Sequence, residues 1–403
     1  MKVLVVSPVF PDPPHTGGAL RVAQMLRALA REHEVTLLAT VPRTVRIEEA
    51  RDALAPVRLW AVRSGWTPGE GPTLAKRVRQ LRSLCSCRSA FYWTFAWPLA
   101  RAISRLPRRA FDCVQVEYGP LGLLPVDPTL PLVVDAHNVE HVVLERISRE
   151  ASAWRRWWLR WEAQRVQRDE RCAWRRATWC LATSRVDAAM IESVGGTRVA
   201  IVPNGIEVER YPRPAGEVEE PDHVLFVGAF RYWPNLDGVR WFVHDVWPQV
   251  VHARPHARLS LVGSDPPPSL RALERVPGVT VVGYVPDVRP WLARASVVVV
   301  PLRAGSGTRF KLLEALAAGK AVVSTPIGAE GIEAEPERHL LVAQEPTTFA
   351  QAVLRLLASP EERRALGIRA REFVVRAYAW DRIAETLLAV YRELPLTVGG
   401  SGR

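Results

Sequence analysis

The sequence has few of the residues that mark an extracellular, membrane-spanning or metal-binding protein. Its 403 residues include five cysteines, which form neither a disulfide framework nor the paired C-x-x-C spacing of a zinc site. No Asp-x-Asp pair or His/Cys cluster indicates a metal, and no apolar run approaches the roughly 20 residues of a membrane-spanning helix. Prolines interrupt the apolar amino terminus too early for a signal peptide. We therefore expect a reduced, cytoplasmic protein without a metal or other cofactor.

Two common phosphate-binding motifs are also missing. A P-loop kinase needs G-x-x-x-x-G-K-[ST], which does not occur. A nicotinamide or flavin site needs G-x-G-x-x-G after a strand and an acid about 20 residues later. Here the first predicted strand is followed by the proline-rich loop "VFPDPPHTGG", and the second, "EVTLLAT", ends in threonine. Both classes are disfavoured.

Acidic residues are missing from one long segment of a chain whose net charge is +12. Residues 71–111 contain nine bases and no acid, and five aromatic residues are interleaved with the bases. The bases are Lys76, Arg77, Arg79, Arg82, Arg88, Arg101, Arg105, Arg108 and Arg109, and the aromatic residues are Phe91, Tyr92, Trp93, Phe95 and Trp97. Such a segment can bind anionic lipid headgroups or nucleic acid, or it can be an ordinary solvated surface.

A second basic tract, residues 154–176, carries four tryptophans at helical spacing. Trp154, Trp157, Trp158 and Trp161 fall on one helical face. The face can pack against the rest of its own domain, or it can lie at a membrane interface. The sequence leaves both interpretations open.

Length and pattern predict two α/β domains. Apolar runs such as "KVLVVSP", "LPLVVDA" and "ASVVVVPL" alternate with amphipathic helices, which is typical of parallel sheets. We expect an amino-terminal domain over residues 1–204, a linker over 205–222 and a second domain over 223–379. Residues 380–403 should form a helix that packs back on the first domain, followed by a flexible tail.

The stretch "GSGTRFKLLEALAAGKAVVST" at 305–325 predicts an anion site. Free N–H groups at the start of the apolar helix, next to small residues, form a cradle for a phosphate. Arg309 and Lys311 add positive charge at a helix end where cations are otherwise unfavourable, so a phosphate-bearing ligand is the simplest guest.

At this point the chain resembles a known family, the retaining nucleotide-sugar glycosyltransferases of the "family four" group, and among them bacterial polysaccharide-associated members. The resemblance is carried by "PVFPDPPHTGGA", "VPNGIE", "LFVGAF", "LVGSD", "VVGYVPDVRPWLARASVVVVPL" and the 305–325 motif. It implies the GT-B fold, in which two Rossmann-like domains face each other across a cleft. It also implies a sugar-transfer reaction that retains the anomeric configuration.

The same resemblance assigns roles to individual residues. His137 matches a catalytic histidine near the transferred sugar, with Asp135 and Glu140 as weaker neighbours, and Glu314 matches the acid that binds the nucleotide ribose. The expected donor-binding residues are Gly17, Gly18, Gly228, Arg231, Gly283, Tyr284, Ser306, Gly307, Thr308, Arg309, Lys311 and Glu314. Ser306 stands where the family usually has a first glutamate, and Arg231 is the only near candidate for its usual Arg and Lys pair.

The expected function is therefore sugar transfer from a nucleotide-diphosphate sugar to an acceptor in polysaccharide or glycolipid assembly. The acceptor could be lipid-linked, and the enzyme could bind the inner face of an anionic membrane; nucleic acid is not an expected partner. Two alternatives stay open. One is a sugar-nucleotide epimerase of the same fold, and the other is a non-catalytic basic protein that binds membranes or nucleic acid.

Overall fold

The fold of the chain was analysed in a computed structural model. It describes residues 1–14, 16–63, 78, 81–106, 110–149, 151–195, 197–211, 219–305 and 307–395. The chain divides into two compact units. The first comprises Met1–Pro203 together with Ile383–Arg403, and the second comprises Asn204–Arg382. The last helix of the chain therefore belongs mostly to the first unit.

The first unit is built on a parallel sheet with the strand order β3-β2-β1-β4-β5-β6-β7. This is the order of a Rossmann-like domain. Its strands are β1 (Lys2–Ser7), β2 (Glu34–Val41), β3 (Arg58–Arg63), β4 (Cys113–Glu117), β5 (Leu132–Ala136), β6 (Trp179–Ala182) and β7 (Arg198–Ile201).

Helices cover both faces of this sheet, as parallel strands require. They are α1 (Gly17–Leu29), α2 (Ile47–Leu54), α3 (Ala90–Ile103), α4 (Glu140–Arg149), α5 (Ala153–Arg176) and α6 (Arg185–Glu192), with a 3₁₀ turn at Gly119–Leu123. All five cysteines are free thiols. No helix in the described part of the chain combines the length and apolarity that crossing a membrane requires.

The second unit contains another parallel sheet, with the order β10-β9-β8-β11-β12-β13. Its strands are β8 (His223–Val227), β9 (Arg258–Val262), β10 (Val279–Gly283), β11 (Val297–Val300), β12 (Ala321–Ser324) and β13 (Leu341–Val342). Its helices are α7 (Trp233–Trp241), α8 (Trp247–Ala253), α9 (Pro268–Arg271), α10 (Arg289–Arg294), α11 (Phe310–Ala317), α12 (Pro326–Ala329), α13 (Pro346–Ala358) and α14 (Pro360–Tyr378); α15 (Trp380–Arg392) follows. Shorter turns lie at Val208–Arg210, Phe242–Val246 and Ala272–Arg275.

The valine run of β11 explains why this sheet is covered on both faces. Val297 and Val299 pack into one apolar cluster, and Val298 and Val300 pack into the other. Successive side chains of a strand point to opposite faces, so an uninterrupted apolar run is buried on both. The prediction of two Rossmann-like domains is confirmed.

Candidate active site

The first candidate cluster lies at the carboxyl ends of two neighbouring strands of the first unit. Glu117 is the last residue of β4, and His137 comes directly after β5. The Nε2 atom of His137 is 2.7 Å from a carboxylate oxygen of Glu117 and 3.4 Å from one of Asp135. Asp135 in turn accepts hydrogen bonds of 2.8 and 2.7 Å from Arg21 of α1. Two cations and two anions thus balance in a buried network.

The charges of this network determine how its members titrate. Burial opposes protonation of His137, but the negative charge of Asp135 and hydrogen bonds to Asp135 and Glu117 outweigh it and raise the pKa of His137 to about 9. Although burial acts the other way, Arg21 and His137 hold the pKa of Asp135 well below its usual range. Burial and the charge of Asp135 raise the pKa of Glu117. The imidazole is therefore a cation near neutral pH.

The second ring nitrogen of His137 has no partner. Its Nδ1 atom is buried and, among the described residues, finds no hydrogen-bond acceptor. The ring stacks on Tyr118 with centroids 4.2 Å apart. A Cβ atom on Gly18 would lie 2.4 Å from the Tyr118 hydroxyl and 3.5 Å from Nδ1, so a glycine is needed where α1 approaches this pair. A protonated ring therefore has one N–H group left to offer to a ligand.

The C-terminal helix supports His137 through a chain of hydrogen bonds. The Tyr391 hydroxyl donates to the side-chain oxygen of Gln115 at 2.5 Å. The amide of Gln115 donates to Glu117 at 2.6 Å, and Glu117 contacts His137. Because buried polar networks fix side-chain positions, α15 helps to orient the imidazole.

Glu140, the weaker candidate beside His137, begins α4 and receives a hydrogen bond of 3.2 Å from Asn138. Glu170 of α5 lies next to Glu140. It accepts a hydrogen bond of 2.7 Å from the Glu140 backbone N–H group and contacts the His141 ring at 2.6 Å. Burial and the charge of Glu170 raise the pKa of Glu140 to about 7. Glu170 thus joins α5 to the start of α4, next to the loop that carries His137.

The second candidate cluster lies in the second unit, at the start of α11. Gly307 has a φ of 73°, a conformation that other residues rarely adopt. The backbone N–H groups of Gly307, Thr308 and Phe310 find no acceptor in the described part of the chain, and the Thr308 hydroxyl is buried without a partner. Asn204, which is not part of the motif, stabilises it: the side-chain amide of Asn204 donates a hydrogen bond of 3.3 Å to the Thr308 carbonyl oxygen. Ser306 lies outside the described residues.

The two cations of this motif have different surroundings. Arg309 is buried and donates to the carbonyl oxygens of Gly307, at 3.0 Å, and of Ile327, so it shapes the loop. Lys311 donates to the Asn235 side chain at 2.5 Å, and its Nζ atom lies 4.6 Å from the centroid of the Phe226 ring. Burial, followed by the charge of Arg309, lowers the pKa of Lys311 to about 7.

Lys311 reaches the loop that follows β8. A Cβ atom on Gly228 would lie only 2.4 Å from the Lys311 ammonium, so the absence of a side chain there makes room for it. In this loop the sequence suggested only Arg231 as a positive charge for the donor. That arginine is exposed and pairs with Asp265 at 3.1 Å. The positive charge beside Gly228 therefore comes from α11.

Glu314 is half-buried and accepts a hydrogen bond of 2.8 Å from the Tyr211 hydroxyl. Burial raises its pKa, although Tyr211 and the charge of Lys311 act against this. Gly283 ends β10 with a φ of 82°, and Tyr284 after it is 63% exposed. Tyr284 therefore borders solvent just beyond the carboxyl end of that strand, whereas Gly283 is buried.

Sequence reasoning did not identify several members of these clusters. Glu117 could have been found as an acid that ends the apolar strand "CVQVE" beside the strand that precedes His137. No sequence signal indicated Arg21, Gln115, Asn235, Tyr211 or Tyr391, because each meets its partner only through the tertiary fold.

Comparison with known proteins identifies the family of the chain. The sequence model described as Glycosyltransferase Family 4 matches residues 15–210, and the one described as Glycosyl transferases group 1 matches residues 221–359. A phosphatidyl-myo-inositol mannosyltransferase of Mycobacterium tuberculosis is 30% identical over 224 residues. That match covers 53% of this chain and 57% of the mannosyltransferase, little more than half of each.

Solved structures share the fold over nearly the full chain. Sucrose-phosphate synthase from Thermosynechococcus elongatus has a TM-score of 0.73 at 19% identity, covering 97% of this chain and 98% of its own. The Anabaena protein Alr3699/HepE in complex with UDP-glucose has a TM-score of 0.69 at 14% identity, covering 98% and 100%. At these identities the likeness establishes the fold alone, and it confirms the GT-B class.

Proposed function

Because the chain belongs to the group 1 glycosyltransferases, we propose that it moves a sugar from a nucleotide-diphosphate sugar to an acceptor hydroxyl. The observation that carries the donor assignment is the start of α11. Among the described residues, the N–H groups of Gly307 and Thr308 and the buried Thr308 hydroxyl have no partner there. The Lys311 ammonium, on the first turn of the same helix, lies beside Gly228. Such a set of donors suits a diphosphate. The UDP-glucose bound to the Anabaena neighbour supports the same class of donor.

In this reaction the bond between the anomeric carbon and the diphosphate oxygen breaks, and its electron pair stays on the nucleoside diphosphate. The cradle amides, Lys311 and the fixed charge of Arg309 stabilise the negative charge that develops there. The acceptor oxygen bonds to the anomeric carbon, and its proton passes to an oxygen of the departing diphosphate. Retention of configuration is what the family resemblance implies.

His137 is the proposed catalytic residue. As an imidazolium paired with Glu117 through Nε2, it can donate its Nδ1–H to the transferred sugar or to the departing diphosphate. Gly17 and Gly18, at the start of α1, are proposed to let the backbone come close to the donor.

The remaining donor contacts follow the same proposal. Glu314 would accept hydrogen bonds from the ribose, and Gly283 and Tyr284 would border the nucleobase. Arg231, paired with Asp265, would lie at the margin of the donor site, and Ser306 would stand next to the sugar.

We propose that the reaction needs no metal. The side chains of Glu117, Asp135 and His137 offer oxygen and nitrogen atoms within 4.8 Å of one another, a spacing that a metal could use. However, the Arg21 guanidinium already neutralises Asp135, and a protonated His137 cannot ligate a cation.

The proposed acceptor is lipid-linked, in polysaccharide or glycolipid assembly, and the proposed location is cytoplasmic, on the inner face of an anionic membrane. The basic and aromatic segments of the first unit support this assignment. Lys76, Arg77, Arg79, Arg108 and Arg109 lie outside the described residues. Arg88 contributes to packing rather than to a free surface, since it pairs with the buried Asp169 at 3.2 Å.

A thermal-shift panel of nucleoside diphosphates and nucleotide sugars, followed by product analysis, tests the proposed function. We expect at least one nucleoside diphosphate to stabilise the protein, because a ligand that binds only the native state raises its melting temperature. The matching sugar nucleotide should then be consumed. No stabilisation by any member would contradict the donor assignment, and release of an epimerised free sugar would favour an epimerase.

Replacement of Glu314 by glutamine should weaken binding of the nucleoside diphosphate identified in the panel by about 10- to 100-fold. The amide keeps the size of the side chain and can still accept from Tyr211, but it loses the charge-assisted bond to the ribose. Calorimetry measures the change. Tyr211→Phe is the matched control, because it leaves the carboxylate in place and should have a smaller effect. Unchanged affinity for the Glu314→Gln protein would remove this residue from the donor site.

A further inference from the structure

A cavity of the first unit lies at the edge of the sheet, away from His137. It is open, measures about 780 Å³ and is lined mainly by residues of α2, β3 and α3. The strand β3 is the edge strand of the sheet, four strands from β5. Neighbouring strands lie about 4.8 Å apart, so β3 lies about 19 Å from β5, the strand that precedes His137. The cavity is therefore separate from the candidate active site.

The charged residues that line this cavity in the described part of the chain are all basic. They are Arg51, Arg63, Arg101 and Arg105. Arg63 is held by the carbonyl oxygens of Pro42 and Val45, at 2.6 and 2.7 Å. Arg51, Arg101 and Arg105 have no carboxylate within ion-pair distance among the described residues. Unneutralised arginines that share one concave surface favour an anionic ligand, and guanidinium groups bind phosphate oxygens in pairs.

Two exposed tryptophans line the cavity beside these arginines. They are Trp60 of β3 and Trp97 of α3, which are 42% and 43% exposed. The guanidinium of Arg82 lies over the Trp97 ring at 5.7 Å, which joins the cavity wall to a segment with two exposed leucines, Leu81 and Leu84, at 59% and 56%. Exposed arginines next to exposed apolar side chains suit an amphiphile better than a fully hydrated anion.

Exposed apolar side chains also lie on α5. Arg165 of this helix donates to backbone carbonyl oxygens of residues 83–88 and so fixes that segment on α5. Towards the start of α5, Trp154 and Trp157 are 75% and 69% exposed, whereas Trp158 and Trp161 are half-buried. In the described part of the first unit, every exposed large apolar side chain except Val78 and Val186 belongs to β3, α3, α5 or residues 81–84. A concentration of such side chains in a few elements is typical of an interaction surface.

We propose that this cavity binds the phosphate headgroup of an anionic lipid, with Trp60 and Trp97 in the interfacial region of the membrane. This inference rests on the proposed membrane association and adds a specific site to it. Arg51, Arg101 and Arg105 contact the phosphate, and the exposed leucines and α5 tryptophans enter the headgroup layer. Because β3 is four strands from β5, a lipid headgroup bound in the cavity would not cover His137.

The experiment is co-sedimentation of the full chain with vesicles of phosphatidylcholine mixed with phosphatidylglycerol, and with vesicles of phosphatidylcholine alone. The Arg51→Gln/Arg101→Gln protein should bind the anionic vesicles about 10- to 30-fold more weakly than the wild type. Both side chains are exposed, so the fold should survive; a melting curve checks this. The control, Arg171→Gln/Arg175→Gln, removes two exposed arginines of α5 outside the cavity and should weaken binding less than about threefold.

Equal losses in the two double variants, or no loss in either, would overturn the cavity site while leaving membrane association intact. Wild-type protein that binds neither vesicle, or both equally, would contradict the proposed association and the site together. A third result is that glycerol phosphate raises the melting temperature of the wild type but not of the cavity variant, while the wild type binds no vesicles. That result would identify a soluble ligand and overturn the lipid assignment. Donor hydrolysis should be unchanged in the cavity variant, which separates this test from that of the transfer reaction.

Discussion

Replacement of His137 by alanine is expected to lower turnover about 100-fold or more while changing donor affinity little. Proton donation by a positioned side chain contributes a factor of roughly 10²–10⁴ to a rate. His137 is buried and protonated near neutral pH, and its Nδ1–H group has no partner among the described residues. We expect this group to contact the sugar more strongly in the transition state than in the bound donor, so its loss should lower turnover more than affinity. Steady-state kinetics and calorimetry with the donor measure the two quantities separately. Normal turnover in the alanine variant would exclude the residue from the site.

The control for this prediction is Glu117→Gln, which keeps the histidine. Glu117 and Asp135 raise the pKa of His137 to about 9, so activity that needs the imidazolium persists to about pH 9 and is lost above it. Removal of one negative charge should move this loss to lower pH. Because a purely structural role for Glu117 would reduce activity without moving the pH profile, an unshifted profile would contradict the proposed coupling.

Replacement of Lys311 by methionine is expected to weaken nucleoside diphosphate binding by about 10- to 100-fold. The ammonium lies beside Gly228 and belongs to the first turn of the helix that begins at the cradle, and loss of one charge-assisted contact costs about 1.5–3 kcal/mol. Methionine preserves the packing on Phe226. The Arg309→Ala/Lys311→Ala pair should bind still more weakly, partly because Arg309 also holds the loop through Gly307. Calorimetry with the nucleoside diphosphate from the panel measures both.

Binding should also be linked to protonation of Lys311. Without ligand its pKa is lowered to about 7, so above pH 7 the side chain is mostly neutral. A bound diphosphate favours the charged form and raises this pKa, so the wild type should take up a proton on binding, and affinity should fall as the pH rises above 7. Calorimetry in buffers of different ionisation enthalpy detects the uptake. The methionine variant should lack it, and equal uptake in both proteins would assign the proton to another group.

The architecture was predictable from the sequence because it depends on local patterns. Apolar runs such as "VVVV" need burial on both faces, and their alternation with amphipathic helices leaves few arrangements other than parallel sheets. The helix that begins at Phe310 and the turn at Gly319, whose φ is 68°, follow from spacing and from the backbone freedom of glycine. The 305–325 motif and its family resemblance likewise depend on contiguous residues.

The partners of the candidate residues were decided only by the tertiary structure. Glu117 is 20 residues from His137, Asn235 is 76 from Lys311, and Tyr211 is 103 from Glu314. No local pattern encodes such pairs, because each forms when strands and helices that are distant in sequence pack together.

What the sequence determined by itself is the family, the two-domain architecture and the position of His137, Lys311 and Glu314 at the ends of strands or the start of a helix. What only the tertiary structure decided is their chemical state. His137 is a cation because Asp135 and Glu117 meet it in a buried network, and Lys311 has a lowered pKa because packing removes water and brings Arg309 near. Protonation depends on the charges and solvent within a few ångströms, and folding brings those charges together.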